Sequence, residues 1–369
     1  MKINGKQVFW MLWMLDVGIN LLISITLAAK DAKQDVWMSF IAAGALGIVV
    51  TYVAISVSLR HPKQTLVEFA GTILGKWPGK LIVIPYFLQW VWVMALILKE
   101  QFVFLRLNVL YKTPDWVVIG SMLLVVIYAV RRGGIETVGR SSQLWGPLLS
   151  AILLLTFVLT LHNLNIKNML PVYYDTGALG IMKGALKPAS LFGESVLIMM
   201  LVPFISNPGS KTKRYVLGGV LASAVVVTLG SLWVTLTFGP VLSSRLHFPF
   251  FEMVKMVYLM EFIQNMDIFL MAIWLVSIFV KLSVYLFVSS VGISQWIGKK
   301  QQWRRTLWFV AGSAFGIGMV VIRLNPSTAA LLETVWVRYV FPVNMIAIPL
   351  LLWGGSVLRF RRKRQTAAN

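Results

Sequence analysis

Long apolar stretches, broken by short basic or polar connections, recur along this chain from end to end. Leu144–Leu161 and Val216–Leu242 hold no Asp, Glu, Lys or Arg. A hydrocarbon layer needs about 20 such residues per helix, more than an ordinary core helix supplies. The pattern predicts ten spans, at 7–29, 36–59, 81–105, 115–130, 143–162, 187–206, 215–240, 266–292, 306–324 and 335–358. The third has the least sharply marked edge, because Lys99, Glu100 and Arg106 crowd its outer half. Helices are expected rather than strands, since lipid offers backbone N–H and C=O groups no partner. The short alternating segments of a transmembrane barrel are absent. Val8–Ala29 exceeds a signal-peptide core of about 7–15 residues and reads as a retained first span.

Composition agrees with this pattern: 58% of the 369 residues are hydrophobic and 13% are charged. A soluble domain of this size needs more polar surface. The expectation is an all-α polytopic membrane protein, one domain over residues 1–369. It comprises a first five-helix repeat over 1–165, a second over 166–358 and a basic cytoplasmic tail over 359–369.

The net charge of +21 sorts by topology. Of 34 basic residues, 21 fall on the side that holds both ends, 12 fall on the other side, and Lys281 lies within a span. Lys and Arg concentrate on the cytoplasmic face of membrane proteins, so both termini are expected in the cytoplasm. An odd number of spans would put the basic tail Arg359–Arg364 outside. The charge therefore reflects topology and contact with anionic lipid, not nucleic acid. Trp37, Trp77, Trp116, Trp145, Trp303 and Trp308 sit near span ends, at interfacial depth.

Five spans are an odd number, so a second copy of the unit enters the membrane upside down, as in many secondary transporters. Two stretches echo each other across the halves. Arg60-His61-Pro62 leads into the amphipathic segment Thr65–Leu74 with Glu68, and Arg245–Pro249 leads into Phe250–Phe262 with Glu252. They read as matching interfacial helices or as two unrelated loops.

Three ionisable residues remain deep in spans: Asp16 in span 1, Glu194 in span 6 and Lys281 in span 8. A charge at mid-membrane costs roughly 3 kcal/mol on insertion scales, so each requires a reason. Spans 1 and 6 are equivalent in the two halves. Asp16-Val17-Gly18-Ile19-Asn20 and Phe192-Gly193-Glu194-Ser195 both read as helix breaks, the latter with Pro203 two turns on. The N–H end of a half-helix holds a carboxylate. The C=O end holds an ammonium or a cation, so paired breaks suit a small zwitterion. The candidate ligand residues are Asp16, Gly18, Ile19, Asn20, Phe192, Gly193, Glu194 and Ser195.

Plainer readings stand beside these. Asp16 caps the second half of span 1. Glu194 is protonated or paired with a neighbour. Lys281 neutralises one of the acids, or its ammonium takes the place of a bound sodium ion. Asn20, Ser24 and Thr26 face the bundle interior or are merely tolerated in a span. Tyr285, one turn beyond Lys281, reads as packing. Gly312, Gly316 and Gly318 read as close helix packing in span 9. Arg131–Glu136 is a turn; it lacks the frame and the Gly-Lys-Ser/Thr ending of a phosphate loop. There is no cysteine, and His61, His162 and His247 lie apart in loops, so no metal site or cofactor is expected. No nucleophile–base set is present, and an enzyme is not expected.

Several motifs in order resemble the endospore germination permeases, the B subunits of germinant receptors, within the amino acid–polyamine–organocation superfamily. They are Ala32–Trp37 before span 2, and Thr65–Glu68 with Leu74–Trp77 after it. Gly134–Arg140 follows span 4, Asn168–Val172 precedes span 6, and Phe192-Gly193-Glu194 and the basic tail complete the set. The resemblance covers nearly the whole chain. It implies a ten-helix fold like that of sodium-coupled amino acid transporters, with spans 1 and 6 unwound around a ligand site and span 8 close by. It also implies a spore inner-membrane location, an A-type membrane subunit and a C-type lipoprotein subunit as partners, and sensing of a small nutrient, often an amino acid. The superfamily often carries Gly-x-Gly at the span 1 break, where this chain has Asp16-Val17-Gly18. The expected function is a ligand-sensing receptor subunit. The rivals are an autonomous proton-coupled amino acid transporter and a ligand-free scaffold for partner subunits.

Overall fold

The structure is a computed structural model and describes residues 1–256 and 266–366. Helix dominates because every long segment is apolar and must satisfy its own backbone. Eight continuous helical stretches are long and apolar enough to cross a membrane. Two of them, of 54 and 45 residues, reverse direction inside and cross twice. That makes ten crossings among the described residues, in agreement with the sequence pattern.

The first reversal falls at Lys33, whose φ of 47° ends one helix and turns the chain toward Val36–Ser58, span 2. The second falls at Gly134, with φ 58° and ψ −146° inside Asp115–Leu159. Glycine adopts that backbone without a Cβ penalty, so Arg131–Glu136 is the expected turn, between spans 4 and 5. Span 3 is Ile84–Asn108 and span 7 is Ser210–Ser243, kinked at Gly239-Pro240. Span 8 is Met266–Trp296 and span 9 is Trp303–Leu324. Span 10 runs as wide π-type turns over Leu332–Ala347, with Pro342 inside, then as α-helix over Ile348–Thr366.

Span 6 begins ten residues earlier than the sequence suggested, at Gly177. Its polar start defeated a hydropathy reading, because Lys183 and Lys187 interrupt the apolar run. Yet 94% of its apolar window is buried, against 33% for span 9. Span 6 therefore lies at the centre and span 9 at the rim.

The interfacial helix after span 2 forms over Leu66–Leu74, with Thr65 and Glu68 closing a capping box. Its counterpart forms over Pro249–Lys255; residues 257–262 of that predicted stretch lie outside the described residues. So do the side chains of Arg361, Arg362, Lys363 and Arg364 in the tail. The glycines of span 9 need correction. A Cβ at Gly312 or Gly316 would meet nothing within 4 Å, and one at Gly318 would make only ordinary contacts near 3.7 Å. A rim helix has no close neighbour on that face. The tight approaches lie elsewhere, at Gly18, Gly47 and Gly193.

Candidate functional site

Span 1 is regular over Gly5–Ile19, widens to a π turn at Asn20–Ser24, and resumes as Ile25–Ala32. Side chains explain the widening. Asn20 Nδ2 donates to the Asp16 carbonyl at 2.9 Å, and Ser24 Oγ donates to the Asn20 carbonyl at 2.7 Å. Each donor sits on the carbonyl four residues back, where a helical N–H would bond, so the ladder shifts register. Span 6 does the reverse. Gly177–Phe192 tightens to 3₁₀ turns at Gly193–Leu197 before Ile198–Leu201. Ser195 Oγ takes the Phe192 carbonyl at 2.6 Å, three residues back, which matches the tighter pitch.

Both interruptions fall where the sequence put them. Their form differs from the implied unwinding, because the residues flanking each one keep right-handed helical φ and ψ. What changes is hydrogen-bond register, and the Asn20, Ser24 and Ser195 side chains add donors to carbonyls in or beside the two segments. Asn20, Ser24 and Thr26 all face inward and are buried.

Around this axis the charged residues meet. Lys281 Nζ lies 2.8 Å from Glu194 Oε2, both side chains almost wholly buried. Tyr285, one turn along span 8 from Lys281, donates its hydroxyl to the same oxygen at 2.7 Å. Tyr285 is thus part of the polar centre rather than packing alone. Asp16 accepts from Ser223 of span 7 at 3.0 Å and lies within electrostatic reach of Lys281 and Glu194. Its carboxylate does not cap the second half of span 1; Asp16 contributes its backbone carbonyl there instead. Lys281 thus makes its ion pair with Glu194, and Asp16 feels that charge without a contact. Of the readings of Lys281, neutralisation of Glu194 is the one the contacts display.

The glycines set how closely the spans approach. A Cβ at Gly18 would stand 2.2 Å from Ser277 Oγ of span 8, and one at Gly193 would stand 2.6 Å from Met345 Sδ of span 10. Trp274 Nε1 donates to the Gly18 carbonyl at 3.2 Å. Phe192 packs against Gly47 of span 2, and Ser195 Oγ lies 2.5 Å from Thr51 Oγ1.

A narrow cavity of about 40 Å³ opens beside this centre. Ile19 and Ile23 of span 1, Leu191 and Glu194 of span 6, and Lys281 of span 8 form part of its wall. Span 3 adds Val93, Leu96, Ile97 and Glu100, and the start of span 10 adds Leu332 and Trp336, with Thr328 just before it. That is far below the roughly 300–1,000 Å³ of small-molecule sites, so the structure describes a closed centre that must widen to admit a ligand. Of the predicted ligand residues, Ile19 and Glu194 line the cavity together with Lys281. Gly18 lines a second small cavity with Phe104, Trp274 and Ser277, and Asp16, Asn20, Phe192, Gly193 and Ser195 line neither.

Sequence reasoning missed the polar residues at the cavity's end away from the termini. Glu100 Oε1 accepts from Thr328 Oγ1 at 2.5 Å. Lys99 Nζ donates to Thr328 Oγ1 at 2.7 Å and to the Pro326 carbonyl at 3.0 Å. Nearby, Lys187 of span 6 pairs with Asp31 at 3.0 Å and lies 3.7 Å from Glu333 of span 10. The start of span 10 is thus held on one side to span 3 and on the other to spans 1 and 6. Lys99 and Glu100 were visible in the sequence, but their place near a predicted span end made them look like boundary charges. At the terminal face, Ile3 pairs with the end of span 6, exchanging backbone hydrogen bonds with Phe204 and Ser206 at 2.8 Å each.

Among the described residues no group of His, Asp and Glu has metal-site spacing.

Comparison with known proteins follows this geometry. The profile of a family described as spore germination proteins matches residues 2–326. Spore germination protein KB of Bacillus subtilis (strain 168) is 25% identical over 335 residues, covering 89% of this chain and 86% of that protein. Spore germination protein YndE of the same organism is 25% identical over 290 residues, 78% of each chain. Spore germination protein GerQB of Bacillus cereus is 22% identical over 302 residues, 82% of each. Among solved structures, a Na⁺-coupled sialic acid symporter in a substrate-bound outward-open state superposes with a TM-score of 0.63 at 14% identity, over 89% of this chain and 76% of that one. MhsT in complex with L-phenylalanine gives 0.56 at 14% identity, over 96% and 88%. These structures share the ten-helix transporter fold with this chain.

Proposed function

The chain belongs to the spore germination protein family, and on that premise we propose that it is the ligand-sensing membrane subunit of a spore germinant receptor. A small nutrient, an amino acid by preference, binds in the cavity between spans 1, 3, 6, 8 and 10. Binding shifts a transporter-like equilibrium, and partner subunits read the shift: an A-type membrane subunit and a C-type lipoprotein. The protein lies in the spore inner membrane with both termini in the cytoplasm. The observation that carries this reading is the buried polar centre beside the cavity. In a transporter fold, it borders both helix interruptions and holds a buried Glu194–Lys281 pair, an arrangement costly to keep in lipid without use.

A ligand moves such an equilibrium only if it prefers one state. In this reading the contacts that hold the start of span 10, made in this structure, break in a second, open state. The test is deletion followed by germination across a panel of nutrients, then complementation. Leu191→Trp, which fills the cavity, is expected to abolish the response to the identified nutrient while the protein accumulates. Asp16→Asn and Glu194→Gln are expected to shift the dose–response curve. A normal response with the cavity filled would leave a scaffold as the reading.

The likeness to a coupled symporter, together with buried acids at the centre, favours one second reading, an autonomous proton-coupled amino acid transporter. Sustained uptake into liposomes, driven by a proton gradient and without partners, would establish it.

A further inference from the structure

Spans 4 and 9 meet at the rim and leave a continuous space between them. Tyr128, Arg131 and Arg132 at the end of span 4 and Arg304 at the start of span 9 line a pocket of about 570 Å³. It lies on the face that holds the N-terminus, since a Cβ at Gly134, in the turn that follows, would strike the Met1 side chain. Deeper along the same two helices, Leu124 and Ile127 of span 4 and Trp308, Gly312 and Phe315 of span 9 line an apolar groove of about 500 Å³. The two spaces join. Leu124 and Tyr128 are one helical turn apart, and so are Arg304 and Trp308. Arg131 of the pocket lies over Trp308 of the groove, its Cζ 5.7 Å from the ring centroid. Glycine keeps the groove deep: a Cβ at Gly312 would meet nothing within 4 Å, and one at Gly120 would reach only Phe315, at 3.6 Å. The three arginines are exposed, and among the described residues none forms an ion pair with a carboxylate. Glu136, the acid that follows them in span 4's turn, is taken by Arg140 at 2.7 Å. Like charges gathered at one pocket favour an anion, and a guanidinium matches phosphate oxygens two at a time.

We propose that pocket and groove together form a site for one anionic phospholipid, its phosphate on Arg131, Arg132 and Arg304 and an acyl chain along the groove between spans 4 and 9. The site lies apart from the polar centre, and the proposal does not depend on what binds there. A free phosphate would meet the arginines and leave the apolar groove unfilled. A zwitterionic lipid would fill the groove but bring a cation to three arginines. An anionic lipid supplies both parts at the depth where they are needed. Basic pockets between spanning helices hold anionic headgroups, and Trp308, half exposed at the junction, marks the interfacial level. The lipid then bridges span 4 of the first half to span 9 of the second, across a contact that the side chains leave open.

The test uses the purified full chain in detergent micelles, titrated with dioleoylphosphatidylglycerol or with dioleoylphosphatidylcholine. The two lipids share their acyl chains and differ in head charge. Native mass spectrometry reads the affinity of the first lipid bound. Wild type is expected to hold the anionic lipid at least tenfold more tightly. The double variant Arg131→Gln, Arg304→Gln is expected to lose most of that preference. Gly312→Leu, which fills the groove, is expected to weaken both lipids several-fold. Lys63→Gln with Lys76→Gln removes the same charge from exposed positions elsewhere on this face and is expected to leave both affinities within twofold of wild type. Folding of each variant is checked by its thermal midpoint; if one variant fails to fold, the other still decides. The proposal is overturned if the two lipids bind wild type equally, or if the arginine variant stays within twofold of wild type. It is also overturned if the lysine control loses as much as the arginine variant. Displacement of the anionic lipid by excess inorganic phosphate, with Gly312→Leu without effect, would overturn it in favour of a free-anion site.

Discussion

Removing Lys281 should cost far more than removing the acid it touches. The two charged atoms lie 2.8 Å apart with both residues under 5% exposed. At an effective dielectric of about 20, that separation gives a gross attraction of about 6 kcal/mol, before the cost of burying both ions. Deleting one partner of a buried pair typically costs about 3–5 kcal/mol, because the other charge is stranded. The surroundings break the symmetry. Lys281→Met strands two acids, Glu194 and Asp16, with only the hydroxyls of Tyr285 and Ser223 to hold them. Glu194→Gln leaves Lys281 still facing Asp16. The expected losses are about 4 kcal/mol for Lys281→Met and about 2 kcal/mol for Glu194→Gln, with the double variant less damaged than the sum by roughly 2 kcal/mol. Unfolding of the purified chain by SDS titration in mixed micelles, followed by the fluorescence of its 15 tryptophans, measures all four corners of the cycle. Equal single losses, or a double variant additive within about 0.5 kcal/mol, would refute the one-lysine, two-acid arrangement.

Glycine substitutions should separate the centre from the rim. Gly18→Ala drives a methyl to 2.2 Å from Ser277 Oγ, so a loss of about 1–3 kcal/mol is expected, partly recovered by Ser277→Ala in a detergent thermal-shift assay. Gly312→Ala meets nothing and removes helix-disfavouring freedom, so the same assay should show no loss, or a gain of up to about 1 kcal/mol. The absence of cysteine makes accessibility measurable with single introduced thiols. Lys187→Met breaks the contacts to Asp31 and Glu333, and a thiol introduced by Leu332→Cys should then react several-fold faster with a charged methanethiosulfonate. An unchanged rate would show that this ion pair does not hold the cavity closed.

The amino-acid sequence by itself determined the crossings, because burial in lipid acts on composition over about 20 residues at a time and needs no knowledge of neighbours. It also determined where spans 1 and 6 lose regularity, since Gly18, Asn20 and Ser195 act on their own backbone within one turn. The three charges Asp16, Glu194 and Lys281 were legible for the same reason: a charge in an apolar run stands out locally. Tertiary structure alone decided how they combine. That Lys281 serves Glu194 and faces Asp16 depends on spans 1, 6 and 8 meeting, and no periodicity encodes which helices meet. Glu100, Lys99 and Lys187 read only as boundary charges, because their partners at the start of span 10 lie far along the chain, 146 positions away for Lys187 and Glu333.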